Sequence, residues 1–282
     1  MSISITAAEK KILQSVTIPP RPQALLTVAA EAKLPEPKIP VIAKAINSDI
    51  AISSAILQVC NSAAFRRSRE IDSIDQAVMI LGLKRLIPLV KAVALKASMA
   101  NSEKLESFWK RSSDIANGCV SVAKLLDKPE LADHAYMLGL FHAAGIPIMF
   151  QHFEEYADFL ALAEAEGWDS YLDEERERFE TGHSTIGAIL AQQWKLPKVM
   201  IEVIYYLHDV DGIYTSGELN KVSLDLLSIL KIARNVSHFR EFDNYDCAEW
   251  LNVRDGLQDY LDLSDVEMED IRDKTLEAIK AG

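Results

Sequence analysis

The sequence is poor in cysteine, with only Cys60, Cys119 and Cys247, and these lie far apart. An odd, scattered set excludes a disulfide framework and a cysteine-based zinc site. A reduced, cytoplasmic setting is the expectation. No apolar run approaches the ~18 uninterrupted residues of a membrane span. The opening MSISITAAEKKILQ has two lysines but no apolar block with a small-residue cleavage site, so no signal peptide is expected. Strand-like alternation joined by Asn-Gly turns is missing. The glycines are too sparse for a loop that cradles phosphate. Internal repeats and low-complexity tracts are also absent. Positive charge is in deficit, with 42 acidic against 30 basic residues, for a net −12. Phosphate neutralisation needs clustered cations, so no nucleic-acid partner is expected.

What is present is apolar helix-forming sequence. Of 282 residues, 49% are hydrophobic, enough for one large or two modest domains. The charge is uneven. Residues 1–100 hold 13 basic and 7 acidic side chains, whereas 101–282 hold 17 and 35. This asymmetry suggests parts with different surfaces. The expected division is an N-terminal helical subdomain over 1–100, a second helical subdomain over 101–212 and a C-terminal helical extension over 213–282.

The periodicity reads as helix nearly throughout. QALLTVAAEAK follows the turn-forming PPRP, and IPVIAKAIN places Val41, Ile42, Ala45 and Ile46 on one face. Asp49 is a candidate cap for AISSAILQVCNSA. Asn61 stands where that helix ends, able to satisfy free carbonyls or the adjoining loop. In SIDQAVMILG the Ser73 hydroxyl is expected to take the Gln76 N–H while the Gln76 amide reaches back to Ser73. Gly82 breaks that helix. Helices continue through FWKRSSDIANGCVSVAKLL, ELADHAYMLGLF, HSTIGAILAQQW, PKVMIEVIYYLHD and LDLLSILKIARNVSHF. SYLDEERERFE reads as a surface helix, and the acidic tail from Asp243 as peripheral. The fold class is all-α.

Three histidines sit on apolar helix faces. His142 follows Leu138 and Phe141; His183 shares a face with Ile186, Gly187 and Leu190; His208 follows Ile201 and Ile204. Histidines on neighbouring helices can converge on a metal. The plainer alternative is that each is a core histidine with one hydrogen bond. A hydrolytic metal also needs anionic ligands and an open position for water, yet His142 is followed by Ala143. Asp209, beside His208, is the only acid flanking one of these histidines. Ser184 next to His183 does not make a serine hydrolase, because adjacent helical residues do not face each other and no strained elbow surrounds the serine.

PPRPQALLTVAAEA, IAKAINSDIAISSAILQVCNSAAF, IDSIDQAVMILGLKRL, FWKRSSDIA, MLGLFHAAG and TGHSTIGAILAQQWKLPKVMIEVIYYLHD occur in an order that resembles the HDOD domain. These are HD-related output domains of bacterial signalling proteins. The resemblance covers roughly residues 15–212 and implies a helical bundle like that of HD-domain phosphodiesterases. HD-superfamily phosphohydrolases hold metal with an early His, a His-Asp pair and a later Asp. Carried over, the early His slot is Arg111, the pair is His142-Ala143, and the late Asp slot falls near Arg234 or Asn235. His183 keeps the His-x-x-x-Gly position, and the family's His-His pair reads His208-Asp209.

Three functions follow from that resemblance. One is a non-catalytic signalling module that meets a protein partner or senses a ligand in a degenerate HD pocket. Another is an HD-type metal-dependent phosphohydrolase, acting on phosphate esters or cyclic dinucleotides, with His142, His183, His208 and Asp209 as ligands. In the third, Arg111 replaces the metal's charge and takes a small anion bidentately. The first is the expected one. It needs no catalytic residue, metal or cofactor, and the candidates Arg111, His142, His183, His208 and Asp209 then line a ligand pocket. No receiver, kinase or cyclase domain fits beside the HDOD region, so a stand-alone protein is expected.

Overall fold

The computed structural model describes residues 23–48, 52–53, 56–57, 60–61, 71–98, 105–208 and 212–281. Among the described residues there are thirteen α-helices, short 3₁₀ turns and no strand. The chain divides into two compact units, one drawn from Pro19–Ala100 and the other containing Asn101–Lys280. Residues after 212 therefore belong to the same unit as 101–212.

In the first unit, α1 (Gln23–Glu31) buries Ala24, Leu25 and Val28, and α2 (Ile39–Asn47) buries Ile42, Ala43 and Ile46. The α2 stripe is turned from the expected one, leaving Val41 38% exposed while Ala43 faces inward. Ile52, Ile56 and Cys60 follow at four-residue spacing, each fully buried. Asp49 lies outside the described residues. Asn61 spends its whole amide on one residue. Its Nδ2 donates to Ile71 O at 2.7 Å, and its Oδ1 accepts from Ile71 N at 2.8 Å. That fixes where α3 (Ile74–Ser98) begins.

At the start of α3 the Gln76 N–H donates to Ser73 Oγ at 3.2 Å. The return bond differs from the expected box. Gln76 Oε1 accepts from Asp72 N at 3.4 Å rather than from Ser73 N. Gly82 interrupts α3 with φ +69° and ψ 165°, a conformation that glycine tolerates and other residues resist.

The second unit is organised around α4 (Glu106–Leu125) and α11 (Lys221–Phe242). Asn220 caps α11, its side chain accepting from Ser223 N at 3.1 Å. Leu226, Leu227, Ile229, Leu230, Ile232, Ala233 and Val236 of α11 are all fully buried, so this helix is enclosed on every side. Each such aliphatic side chain contributes about 1.5–3 kcal/mol on removal from water. Alongside α4 lies α5 (Ala132–Phe141), so close that a Cβ on Gly139 would strike the backbone of Ala116.

The chain continues through α6 (Ile146–His152), α7 (Tyr156–Glu166), α8 (Leu172–Phe179), α9 (His183–Gln193) and α10 (Lys198–Tyr205). The turn before α6 meets α9 backbone to backbone. A Cβ on Gly145 would collide with His183 O, and one on Gly187 would approach Gly145 N at 3.2 Å. Finally come α12 (Ala248–Leu261) and α13 (Asp265–Ala281). The tail is not peripheral as its charge suggested. Glu249, Trp250, Val253, Leu257, Met268, Ile271 and Thr275 are buried.

Candidate functional site

Arg111 of α4, largely buried, reaches two carboxylates. Its Nη1 lies 2.5 Å from Glu164 Oε1 of α7. Its Nε and Nη2 chelate Glu241 of α11 at 2.7 and 2.9 Å. Burial opposes the charge on Arg111, but Glu164 and Glu241 outweigh it and hold its pKa above the usual value. Burial also raises the Glu164 carboxyl, and Arg111 offsets only part of that rise. Both edges of the guanidinium are therefore taken, and an incoming anion would have to displace a carboxylate.

A second cluster sits beside it. From α11, Lys231 Nζ lies 2.8 Å from Glu249 Oε1, and Arg234 chelates Glu249 through Nε at 2.8 Å and Nη2 at 2.6 Å. Burial would raise the Glu249 carboxyl, but Arg234 and Lys231 outweigh it and hold it well below the usual range. Bidentate, charge-assisted pairs of this kind fix geometry as well as charge. Asn235, one position on, is committed to the loop, its Nδ2 donating to Tyr245 O at 2.7 Å.

His142 ends α5 with its ring 2% exposed. Its Nδ1 lies 2.7 Å from Gly139 O, which assigns the proton to Nδ1 and leaves Nε2 as the acceptor nitrogen. Burial, and next Arg234, lower its pKa to about 3, so the ring is neutral at ordinary pH. The following Ala143 supplies no carboxylate.

His183 and His208 form a separate pair. His183 opens α9 after Gly182, and its Nδ1 lies 3.0–3.1 Å from the two carboxylate oxygens of Glu175 in α8. Glu175 is 1% exposed, takes the Tyr156 hydroxyl at 2.5 Å and accepts from the His183 backbone N–H at 3.1 Å. The two Nε2 atoms of His183 and His208 face each other at 3.1 Å, so one of them must donate. With Glu175 accepting from His183 Nδ1–H, a neutral His183 accepts from His208 Nε2–H. His208 Nδ1 is then an acceptor with no partner, 4.0 Å from the equally unpartnered Asp169 Oδ1. Burial, and next His183, lower the His208 pKa well below the usual value.

A cavity of 60 Å³ lies among Arg111, His142, Trp168, Arg234, Glu249 and Trp250. Gly167, at φ +99°, makes the turn that brings Trp168 to its wall. Trp168 also packs on His183, with ring centroids 4.0 Å apart. The three histidines thus do not share one cavity. His142 lines it together with Arg111, while His183 and His208 do not. Asp209 lies outside the described residues.

The donor set does not fit a divalent cation. Among the described residues no three His, Cys, Asp or Glu side chains are placed to hold one. Glu164 and Glu249 already bind guanidinium or ammonium groups. A guanidinium within about 4 Å of a dication costs several kcal/mol even at an effective dielectric near 20.

Glu164, Glu175, Lys231 and Glu249 were not foreseen. Glu175 lies in the charged run DEERERF and Glu249 in an acidic tail, where local pattern reads as solvated surface. The only sequence cue for Glu249 was the neighbouring Trp250.

The profile of the HDOD domain matches residues 18–210 of the chain. A curated relative, an uncharacterized protein of Treponema pallidum (strain Nichols), is 26% identical over 215 residues, which cover 74% of this chain. The chain spans only 42% of that relative's length. Among solved structures, a provisionally named phosphohydrolase from Shewanella amazonensis SB2B superposes with a TM-score of 0.70 at 22% identity, covering 98% of both chains. An HDOD domain protein of unknown function from Geobacter sulfurreducens gives 0.62 at 20%, covering 96% of this chain and 97% of the other. At these identities the structures speak for a common fold.

Proposed function

Because the chain belongs to the HDOD domain family, we propose that it is a non-catalytic signalling module of the bacterial cytoplasm. In this reading the HD-like pocket is a structural and sensing element, and the output is a contact between helical surfaces and a signalling protein. The observation that carries it is the state of the cavity's charges. Where the resemblance calls for metal ligands stand Arg111, locked onto Glu164 and Glu241, and Arg234 or its neighbour Asn235, with Arg234 locked onto Glu249. Permanent guanidinium charge there does for the buried carboxylates what a cation would otherwise do. The size of the cavity supports the same reading, since 60 Å³ is far below the roughly 300–1,000 Å³ of ordinary small-molecule sites. A cyclic dinucleotide would need a large opening. No described helix is long and apolar enough to cross a membrane.

Elemental analysis of protein purified without chelators tests the reading. The expected result is sub-stoichiometric zinc, iron, manganese and nickel, with no turnover of phosphomonoesters or cyclic dinucleotides. Near-stoichiometric metal that disappears in His142→Ala would replace the module by a phosphohydrolase.

A further inference from the structure

Three arginines of the second unit can be compared by their side-on edge, the parallel Nε–H and Nη2–H. In Arg111 that edge chelates Glu241. In Arg234 it chelates Glu249. In Arg272 of α13 it chelates nothing. Its Nε and Nη2 are both shielded from solvent and both without a hydrogen-bond partner.

The setting of Arg272 is built rather than incidental. Its Cζ lies over the ring of Tyr245 at 4.5 Å and over the ring of Trp250 at 4.7 Å. Tyr245 is itself stacked on Phe239, with centroids 3.9 Å apart and planes within 3°. Rings on a guanidinium stabilise its charge and fix its plane. Around it the buried groups that lack partners can each donate to an acceptor: Trp250 Nε1, the Tyr245 hydroxyl and the hydroxyl of Thr275, one turn along α13. Burial lowers the pKa of Arg272; Tyr245 and next Asp246 offset that only in part, and Arg254 adds to the lowering. Neither Asp246 nor Glu269 comes within ion-pair distance of it. A desolvated guanidinium fork without an acceptor is costly, and an acceptor of matching shape removes the cost.

We propose that the Arg272 edge is a binding site for a small monoanionic carboxylate, held bidentately beside the Tyr245 and Trp250 rings. The class follows from two facts. The fork matches a planar pair of oxygens, and the two filled forks of this same molecule both hold carboxylates. The second is the surrounding charge: the acids Asp246, Glu269 and Asp273 outnumber the one nearby cation, Arg254, and their net repulsion of a phosphate dianion is about twice that of a monoanion. The site is distinct from the 60 Å³ cavity, although Trp250 borders both. It does not depend on whether the HD-like pocket is catalytic.

The test is titration of the full chain with acetate and with benzoate at constant ionic strength. Tryptophan fluorescence and the ¹⁵N-edited arginine Nε–H spectrum are read together. Both probes should give a saturable response, with the Arg272 Nε–H resonance shifted and protected from exchange. Inorganic phosphate should bind more weakly and chloride not at all. Arg272→Gln should abolish the response, while Arg176→Gln, at an exposed arginine of α8, should leave it intact. If Arg272→Gln loses its helical circular dichroism, Arg272→Lys serves instead. It keeps the charge but not the fork, and should weaken binding by about tenfold or more. No saturable response to either carboxylate overturns the site, as does an equal response in the Arg272 variant. It is also overturned if the Arg272 Nε–H is protected from exchange in the ligand-free protein and loses that protection in Asp246→Asn, because the fork is then filled from within.

Discussion

At the residue scale the decisive feature is that the charges around the 60 Å³ cavity come in closed sets. Glu249 answers both Lys231, 2% exposed, and Arg234. Its worth is best judged by what its loss leaves behind. Glu249→Gln strands Lys231, which is buried, and Arg234, which is largely so, and breaking a buried pair in this way costs about 3–5 kcal/mol. The variant should unfold at a clearly lower urea midpoint. An unchanged midpoint would mean that the cluster is hydrated in solution. Lys231→Met in the Glu249→Gln background should recover part of the loss by removing one stranded charge. Local sequence carries no trace of this set, since Glu249 lies in a run of acids and its partners stand a helix away. His142 was legible as a neutral core residue, but its separation from His183 and His208 was not. Three apolar helix faces do not by themselves say which of them meet.

At the element scale, periodicity and caps were readable. The Gly82 break, the start of α3 and the role of Asn61 follow from local chemistry. Register was harder, as Val41 on α2 and the Gln76 return bond to Asp72 illustrate. One residue of rotation depends on what the helix packs against, not on its own pattern. The cap itself gives a clean prediction. Ser73→Ala removes the acceptor of the Gln76 N–H, and the loss should be about 1 kcal/mol. Thermal unfolding should register it as a lowered midpoint, whereas an unchanged midpoint would show that the Gln76–Asp72 bond alone secures the helix start. The acidic tail failed for a related reason. Its buried positions, among them Trp250, Val253, Leu257, Met268 and Ile271, are outnumbered by exposed acids, so composition hid its amphipathic faces.

For the whole molecule, the buried histidines set a pH dependence. The ordinary pKa of 6.5 falls to about 3 for His142 and is also well lowered for His208. Above 6.5 both rings are neutral folded and unfolded, and they contribute no slope. Below it the unfolded chain takes up protons that the folded protein refuses. Stability therefore falls toward low pH by up to about 1.4 kcal/mol per pH unit for each ring. Glu249, held low by its cations, adds to the loss once pH enters the usual carboxylate range. Glu164 and Asp169 act in the opposite sense, since burial raises both. Urea unfolding between about pH 7.5 and 5 should show the decline, and His142→Gln should flatten it. A flat profile in the unaltered protein would mean that the rings are accessible to protons in the folded state.

The contact of Gly145 and Gly187 across the turn before α6 has one more consequence, for how fast the interior can respond. Backbone against backbone leaves no rotamer to change and no side chain to swing aside. That side of the His142 cavity can yield only if two helices part, an event close in free energy to global unfolding. The amide hydrogen of Gly187, inside α9, should therefore be among the slowest to exchange with deuterium. Solvent or ligand traffic is then left to other parts of the wall, among them the segment that carries Phe242, Cys247 and Trp250. The lifetime of an occupant would then be set by how often that segment lifts, rather than by the strength of its contacts alone.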